Sequence, residues 1–165
     1  MSKDNYFTSL ILAAGEGTRM KSDLAKVLHE VSGKPMIRHV VETVERIDPS
    51  RIIIIVGHQA VSVQEEFKGE DVEFVLQRER LGTGHAVMQA RKLLDGFKGT
   101  VLILNGDTPL IRAETLRSFL EYHSDNAFSA TVMSTHMKDP FGYGRIVRAP
   151  DGELKKIVEE RDADD

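Results

Sequence analysis

Two spacings alternate along this chain. Short unbroken apolar runs, rich in β-branched residues, predict strands covered on both faces, because such strands have no solvent side to keep polar. Thr8–Ala13, Ile52–Val56 and Val101–Leu104 read this way, and Val72–Gln77 and Phe128–Ser134 are the other predicted strands. Between them, apolar residues recur three and four apart, the spacing of one helix face. Pro35–Arg46 carries Met36, Val40, Val44 and Ile47 on such a face, with Pro35 in the first turn, where a missing N–H is harmless. Ala60–Phe67, Thr83–Leu94 (Ala86, Ala90, Leu93 and Leu94 inward) and Ala113–His123 are the other predicted helices. This alternation predicts a Rossmann-like three-layer α/β/α fold with a mostly parallel sheet. The rhythm changes near the end. Gly144–Arg148 and Leu154–Val158 flank Ala149-Pro150-Asp151-Gly152, the pattern of a hairpin, and a charged segment, Glu159 to Asp165, follows.

Composition narrows the function classes. A chain of 165 residues suits a single domain. It is 41% hydrophobic and 29% charged, ordinary for a globular protein, and its net charge of −4 and 6% aromatic content argue against nucleic-acid binding. There is no cysteine, which removes disulfides, thiolate catalysis and cysteine-held zinc. No apolar run approaches membrane-spanning length, and the first six residues lack a signal core, so a cytoplasmic location is the expectation.

The most informative stretch is Leu10-Ile11-Leu12-Ala13-Ala14-Gly15-Glu16-Gly17-Thr18-Arg19-Met20, followed by Lys26. A buried strand runs into a glycine-rich loop, which in an open α/β sheet is where ligands bind. Gly15 and Gly17 allow close backbone approach, successive N–H groups can form an anion nest, and Arg19 and Lys26 supply charge. The pattern is not a Walker loop, since no Gly-Lys-Ser/Thr follows. It is not a dinucleotide fingerprint either, since the third glycine is absent. A tight turn alone would explain the glycines but not the neighbouring cations.

Other motifs fall at the same expected sheet edge. Asp107, in Asn105-Gly106-Asp107-Thr108-Pro109, follows a buried strand and suits magnesium, although an aspartate opening a turn before proline is also common. Gln77 offers an amide donor and acceptor to a nucleobase edge, and Thr83, in Leu81-Gly82-Thr83-Gly84-His85-Ala86, is placed to cap the next helix. Phe141-Gly142-Tyr143-Gly144-Arg145 is a candidate loop over a sugar ring or simply the start of the hairpin. The six histidines show no metal-binding pairing.

Taken in order, Leu12 to Met20, Lys26-Val27-Leu28-His29, Gln77, Leu81 to Ala86, Gly106 to Leu110 and Gly142-Tyr143-Gly144-Arg145-Ile146 resemble the sugar-phosphate nucleotidyltransferases. The likeness is strongest to the uridylyltransferase modules of bifunctional UDP-N-acetylglucosamine pyrophosphorylases/glucosamine-1-phosphate N-acetyltransferases, and it runs from Leu10 to Ala163. The resemblance implies a nucleotide-diphospho-sugar transferase fold. It implies formation of UDP-N-acetylglucosamine and pyrophosphate from UTP and N-acetylglucosamine 1-phosphate with Mg2+, a step toward peptidoglycan. It implies that Leu12, Ala13, Ala14, Gly15, Gln77, Gly82 and Thr83 meet the nucleotide. Arg19 and Lys26 would neutralise its phosphates, Asp107 would hold magnesium, and Asn105, Gly144 and Glu159 would hold the sugar.

Ala25 stands where the family usually has proline, and Asn105 where tyrosine is frequent. The family's domain also continues past Asp165, so residues 1–165 are expected to be its first part. A further metal ligand, part of the sugar pocket and the β-helix through which full-length members trimerise would lie beyond. Transfer to another sugar 1-phosphate, such as dTTP or UTP with glucose 1-phosphate, and a non-catalytic nucleotide-binding role remain as rivals. A Rossmann oxidoreductase is disfavoured by the missing glycine.

Overall fold

The computed structural model describes residues 6–15, 17, 20–57, 59–79 and 81–163, the side chain of Arg161 excepted. In chain order the elements are β1 (Phe7–Ala13), β2 (Glu30–Val31), β3 (Lys34–Pro35), α1 (Met36–Glu45), β4 (Arg51–Val56), α2 (Ala60–Glu66), β5 (Glu73–Leu76), α3 (Thr83–Gln89), β6 (Thr100–Asn105), α4 (Ala113–Asp125), β7 (Arg145–Arg148) and β8 (Leu154–Val158). Short 3-10 turns cover Lys26–Leu28, Ala90–Lys92 and Glu160–Asp162. Residue contacts separate two units, 1–128 and 129–165.

In the first unit β5, β4, β1 and β6 lie side by side in that order, all parallel. Side chains alternate across this sheet with the two-residue period of extended backbone. Phe7, Ile11 and Ala13 of β1 and Ile52, Ile54 and Val56 of β4 face one core, filled by Ile37, Val40, Val41 and Val44 of α1, Val63 of α2 with Phe67 just beyond it, and Leu116 and Leu120 of α4. Leu10, Ile53 and Ile55 face the other side, against Ala86 of α3 and Ala90. Helices therefore cover both faces, as the sequence predicts, and the continuous apolar runs of β1 and β4 are explained by burial on both sides, whereas β6, at the edge, leaves Ile103 exposed.

Strand order places the site. The chain leaves β1 toward β4 and β5, then returns through α3 to β6 on the opposite side of β1. The crossovers thus diverge between β1 and β6, and their carboxyl ends form the switch-point crevice of a doubly wound sheet.

Three local readings are corrected. Phe128–Ser134 is not a strand. Ala127 takes φ 51° and its N–H donates to the Ser124 carbonyl at 3.0 Å, closing α4, while the Phe128 ring packs against Tyr122 at 5.6 Å. The residues beyond belong to no described strand, and Val132 and Met133 stay exposed. The predicted helix over 83–94 ends earlier, at Gln89, and tightens into the 3-10 turn at Ala90–Lys92. Thr83 is not a cap: Gly82 holds the cap position at φ 98°, and α3 has no side-chain cap bond.

The sequence reading also passed over the hairpin β2–β3. Ser32 and Gly33 both take positive φ, 54° and 76°, as a two-residue primed turn requires. The hairpin leads into α1 at Pro35, and the Met36 N–H donates to the His29 carbonyl at 3.0 Å.

The second unit holds the predicted hairpin. β7 and β8 pair antiparallel, with a register irregularity between Val147 and Arg148. The connection is closed by hydrogen bonds from the Ala149 N–H to the Glu153 carbonyl and from the Gly152 N–H to the Ala149 carbonyl, both 2.9 Å. The charged segment past β8 does form structure, the 3-10 turn at Glu160–Asp162.

Candidate active site

A cleft of about 840 Å³ opens over the carboxyl ends of β1 and β6, lined in part by Gly15, Lys26, Gln77, Thr83, Asn105 and Asp107. Its floor is set by main-chain ladders. The Gly106 N–H donates to the Leu12 carbonyl at 2.9 Å, carrying the β1–β6 pairing one residue past Asn105. The Gln77 N–H donates to the Val56 carbonyl at 2.8 Å, carrying the β4–β5 pairing past Leu76. Two loops leave those strand ends with their backbone fixed, so Asp107 and Gln77 enter the cleft from rigid supports.

Lys26 arrives from another direction. It sits on the 3-10 turn whose Val27 and Leu28 are buried, with Ala25 buried before them. Those anchors hold the backbone, and the Lys26 ammonium donates to Asp107 Oδ2 although 81 residues separate the two. Both side chains are about 30% exposed, 31% and 29%. Gly17 explains how the glycine loop fits beside them. Its φ is 61°, and a Cβ there would lie 2.6 Å from Lys26 Cβ, so only glycine lets the loop lie against the lysine.

Gln77 is among the few buried polar side chains, 5% exposed. Its Nε2 donates to the Gly82 carbonyl at 3.3 Å and faces His85 Nδ1 at 3.1 Å. Gln89, one turn along α3, places Nε2 3.0 Å from His85 Nε2 and donates to the His85 carbonyl at 3.1 Å. Asn105 is exposed at the end of β6, and its carbonyl accepts from Thr108 Oγ1 at 2.7 Å.

Most expected site residues meet here. Leu12, Ala14, Gly15, Gln77, Gly82, Thr83, Lys26, Asn105 and Asp107 all line the cleft. Ala13 does not, because its side chain points into the core beneath the sheet. Gly144 and Glu159 are exposed in the second unit, at the hairpin and its end. Arg19 lies outside the described residues. Within the second unit Arg145 Nη1 pairs with Glu160 Oε2 at 2.7 Å and donates to the Pro140 carbonyl at 2.9 Å, tying the 140–145 loop to the end of the chain. Sequence reasoning missed the Gln77–His85–Gln89 chain and the part of Val27. The i, i+4 spacing of His85 and Gln89 was the available signal for the former.

A doubly wound parallel sheet, with a glycine loop and a lysine–aspartate pair in the crevice at its switch point, defines the class of the chain as an open α/β protein. The family model of the MobA-like NTP transferase domain matches residues 9–163, and the chain belongs to that family. It is 52% identical over 155 residues to the bifunctional protein GlmU of Enterococcus faecalis, covering 94% of this chain and 34% of that protein. It is 54% identical over 156 residues to GlmU of Geobacter metallireducens, covering 94% of this chain and 33% of that protein. The chain therefore spans about a third of the length of these relatives.

Among solved structures, HddC from Yersinia pseudotuberculosis superposes with a TM-score of 0.65 at 25% identity, covering 93% of this chain and 69% of that one. A nucleotidyl transferase from Methanothermobacter thermautotroptrophicus gives 0.61 at 24% identity, over 72% of this chain and 58% of that one. Rv0371c of Mycobacterium tuberculosis, solved in complex with manganese, gives 0.61 at 16% identity, over 73% of this chain and 61% of that one. These last two likenesses concern the fold.

Proposed function

We propose that this chain carries the nucleotide side of a uridylyltransferase that joins UTP to N-acetylglucosamine 1-phosphate and releases pyrophosphate. The observation that carries the reading is the meeting of Ala14, Gly15 and Gly17 with Lys26 and Asp107 in one cleft at the switch point. Identity of about half to GlmU across 94% of the chain supports the particular substrates.

In this reaction a phosphate oxygen of the sugar phosphate attacks the α-phosphorus of UTP, and the bond to the β-phosphate oxygen breaks. No protein nucleophile is needed, because the attacking oxygen is already an anion. The difficulty is bringing two anions together, so positioning and charge neutralisation are the protein's contribution. The backbone of the 14–17 loop receives phosphate oxygens. Lys26 neutralises the charge that builds on the departing pyrophosphate. Gln77, Gly82 and Thr83 hold the base. Arg19 adds charge to the phosphates, and Asn105, Gly144 and Glu159 serve the sugar.

A divalent cation suits this cleft. Among the described residues no three histidine, aspartate or glutamate side chains gather to hold a metal. Magnesium, however, needs only one or two carboxylates when phosphates and water complete its shell. Asp107 has Oδ2 on Lys26, and its Oδ1 takes no hydrogen bond from the described residues. Bound there, magnesium would withdraw charge from the phosphates.

The test measures pyrophosphate release with magnesium, each of UTP, dTTP and CTP, and each of N-acetylglucosamine 1-phosphate and glucose 1-phosphate. It uses the chain alone and within the full open reading frame that encodes it. UTP-selective turnover with N-acetylglucosamine 1-phosphate is expected. Lys26→Ala and Asp107→Asn should each lower the rate by about 10²–10³-fold. Near wild-type release in both variants sinks the assignment. Saturable UTP binding without turnover in either form assigns the cleft to nucleotide binding alone.

A further inference from the structure

We infer that His85 is a positioning residue that sets which end of the Gln77 amide faces the nucleobase, and so decides between uracil and cytosine. The inference rests on the nucleotide reading above and extends it to a residue that need not touch the ligand.

Hydrogen-bond inventory makes the case. The Gly82 carbonyl only accepts, so the Gln77 atom 3.3 Å from it is the NH2 group. The second hydrogen of that group points to His85 Nδ1 at 3.1 Å. Nδ1 must then carry the lone pair, which places the ring proton on Nε2. Gln89 makes the opposite demand, since its NH2 group faces Nε2 at 3.0 Å. A neutral imidazole has one acceptor nitrogen and cannot serve both donors.

Burial decides which glutamine yields. Gln77 is 5% exposed, and turning its amide would set Oε1 against the Gly82 carbonyl, acceptor on acceptor. Gln89 is half-buried, so it can turn Oε1 onto Nε2–H while water replaces its bond to the His85 carbonyl.

With both N–H groups of Gln77 engaged inside the protein, Oε1 is what remains for a ligand. Gln77 lines the cleft, and Oε1 takes no hydrogen bond from the described residues. Oε1 accepts from N3–H of uracil and meets only a lone pair at N3 of cytosine. Without the acceptor at Nδ1, the amide loses the partner that fixes its orientation, and the preference weakens.

Two measurements test this. Nitrogen-15 NMR of the wild-type imidazoles should show His85 with Nδ1 unprotonated and Nε2 protonated. The ratio of UTP to CTP affinity, and the matching ratio of KM values where turnover is seen, should fall about tenfold in His85→Leu while kcat with UTP changes little. His85→Asn, which restores an oxygen acceptor near Nδ1, should recover most of the preference. An Nδ1–H tautomer overturns the inference, as does an unchanged ratio in His85→Leu of wild-type circular dichroism. If His85→Leu does not fold, the tautomer and the His85→Asn ratio still decide. A wild-type chain that binds UTP and CTP equally overturns the uridine reading together with this role. A selective wild type with an unselective role for His85, seen as an unchanged variant ratio, overturns the role alone.

Discussion

Gly57 shows how little room the cleft leaves its own backbone. It follows the last residue of β4 and is buried, and a Cβ there would lie 2.7 Å from the Ala14 carbonyl oxygen and 3.1 Å from Ala14 Cα. Those neighbours are main chain, so they cannot swing aside as a side chain would. Gly57→Ala must push the end of β1 outward, a strain of about 1–3 kcal/mol by the usual magnitude of overpacking. Because Ala14 lines the cleft, UTP affinity should fall along with stability. Urea denaturation reads the first effect and calorimetric titration the second. Wild-type values in both would show that the backbone at Ala14 yields without cost. At this scale the sequence displayed the glycines but not their reasons. Gly15, central to the motif, has open space where a Cβ would go, whereas Gly57, outside any motif, does not. Only the approach of two strands distant in sequence separates the two cases.

At the scale of elements, β4 and β5 are joined by more than their ladder. Arg51 Nε donates to Glu73 Oε1 at 2.6 Å and Nη2 to Oε2 at 2.8 Å, a two-pronged bridge across the first residues of the two strands, while Nη1 donates to the Leu93 carbonyl at 2.7 Å. The hydrogen bond from Arg51 holds the Glu73 carboxyl below its ordinary value of 4.5, against a smaller opposing effect of desolvation. Lys34 does the same for Glu42 by its hydrogen bond, also against desolvation. A carboxylate whose folded pKa is depressed stabilises the fold above its unfolded pKa and loses that contribution as pH falls through the folded value. Stability should therefore drop below about pH 4.5. Glu73→Gln should flatten part of that drop. The difference should stay under about 1 kcal/mol, because the Glu73 side chain is 41% exposed and water screens the pair. Urea midpoints across pH 3 to 7 (a range of about four units around the carboxylate pKa) check it, and parallel curves for the two proteins would refute the bridge's part.

At the scale of the whole molecule, burial is concentrated in the first unit. Among the described residues none beyond Leu120 is buried, and the two apolar clusters are built from residues 7–120. The unit spanning 1–128 thus has its own core. A chain ending at Phe128 should unfold cooperatively and keep a Tm within about 5 °C of the longer chain, a change of roughly 1 kcal/mol. Calorimetry measures this, and loss of the cooperative transition would show that residues 129–165 complete the fold. Much of the architecture was legible in the sequence. Strands buried on both faces must be continuously apolar, and helices on one face must repeat at three and four, so β1, β4, α1 and α4 could be read from local composition alone; β6 carries the same apolar run although its Ile103 is exposed. Phe128–Ser134 could not, because an alternating run becomes a strand only when another strand offers it hydrogen bonds. The candidate site divides in the same way. Leu12 to Gly17, Gln77 and Asp107 were visible as strand-end motifs, since chemistry at a sheet edge follows directly after an apolar run. His85 stands between two glutamines within the single β5–α3 segment, so its spacing from Gln89 was in the sequence, but that Lys26 meets Asp107 across 81 residues was decided only by the tertiary structure. That contact depends on the strand order 5-4-1-6, and strand order is a choice of neighbours that no local sequence period encodes.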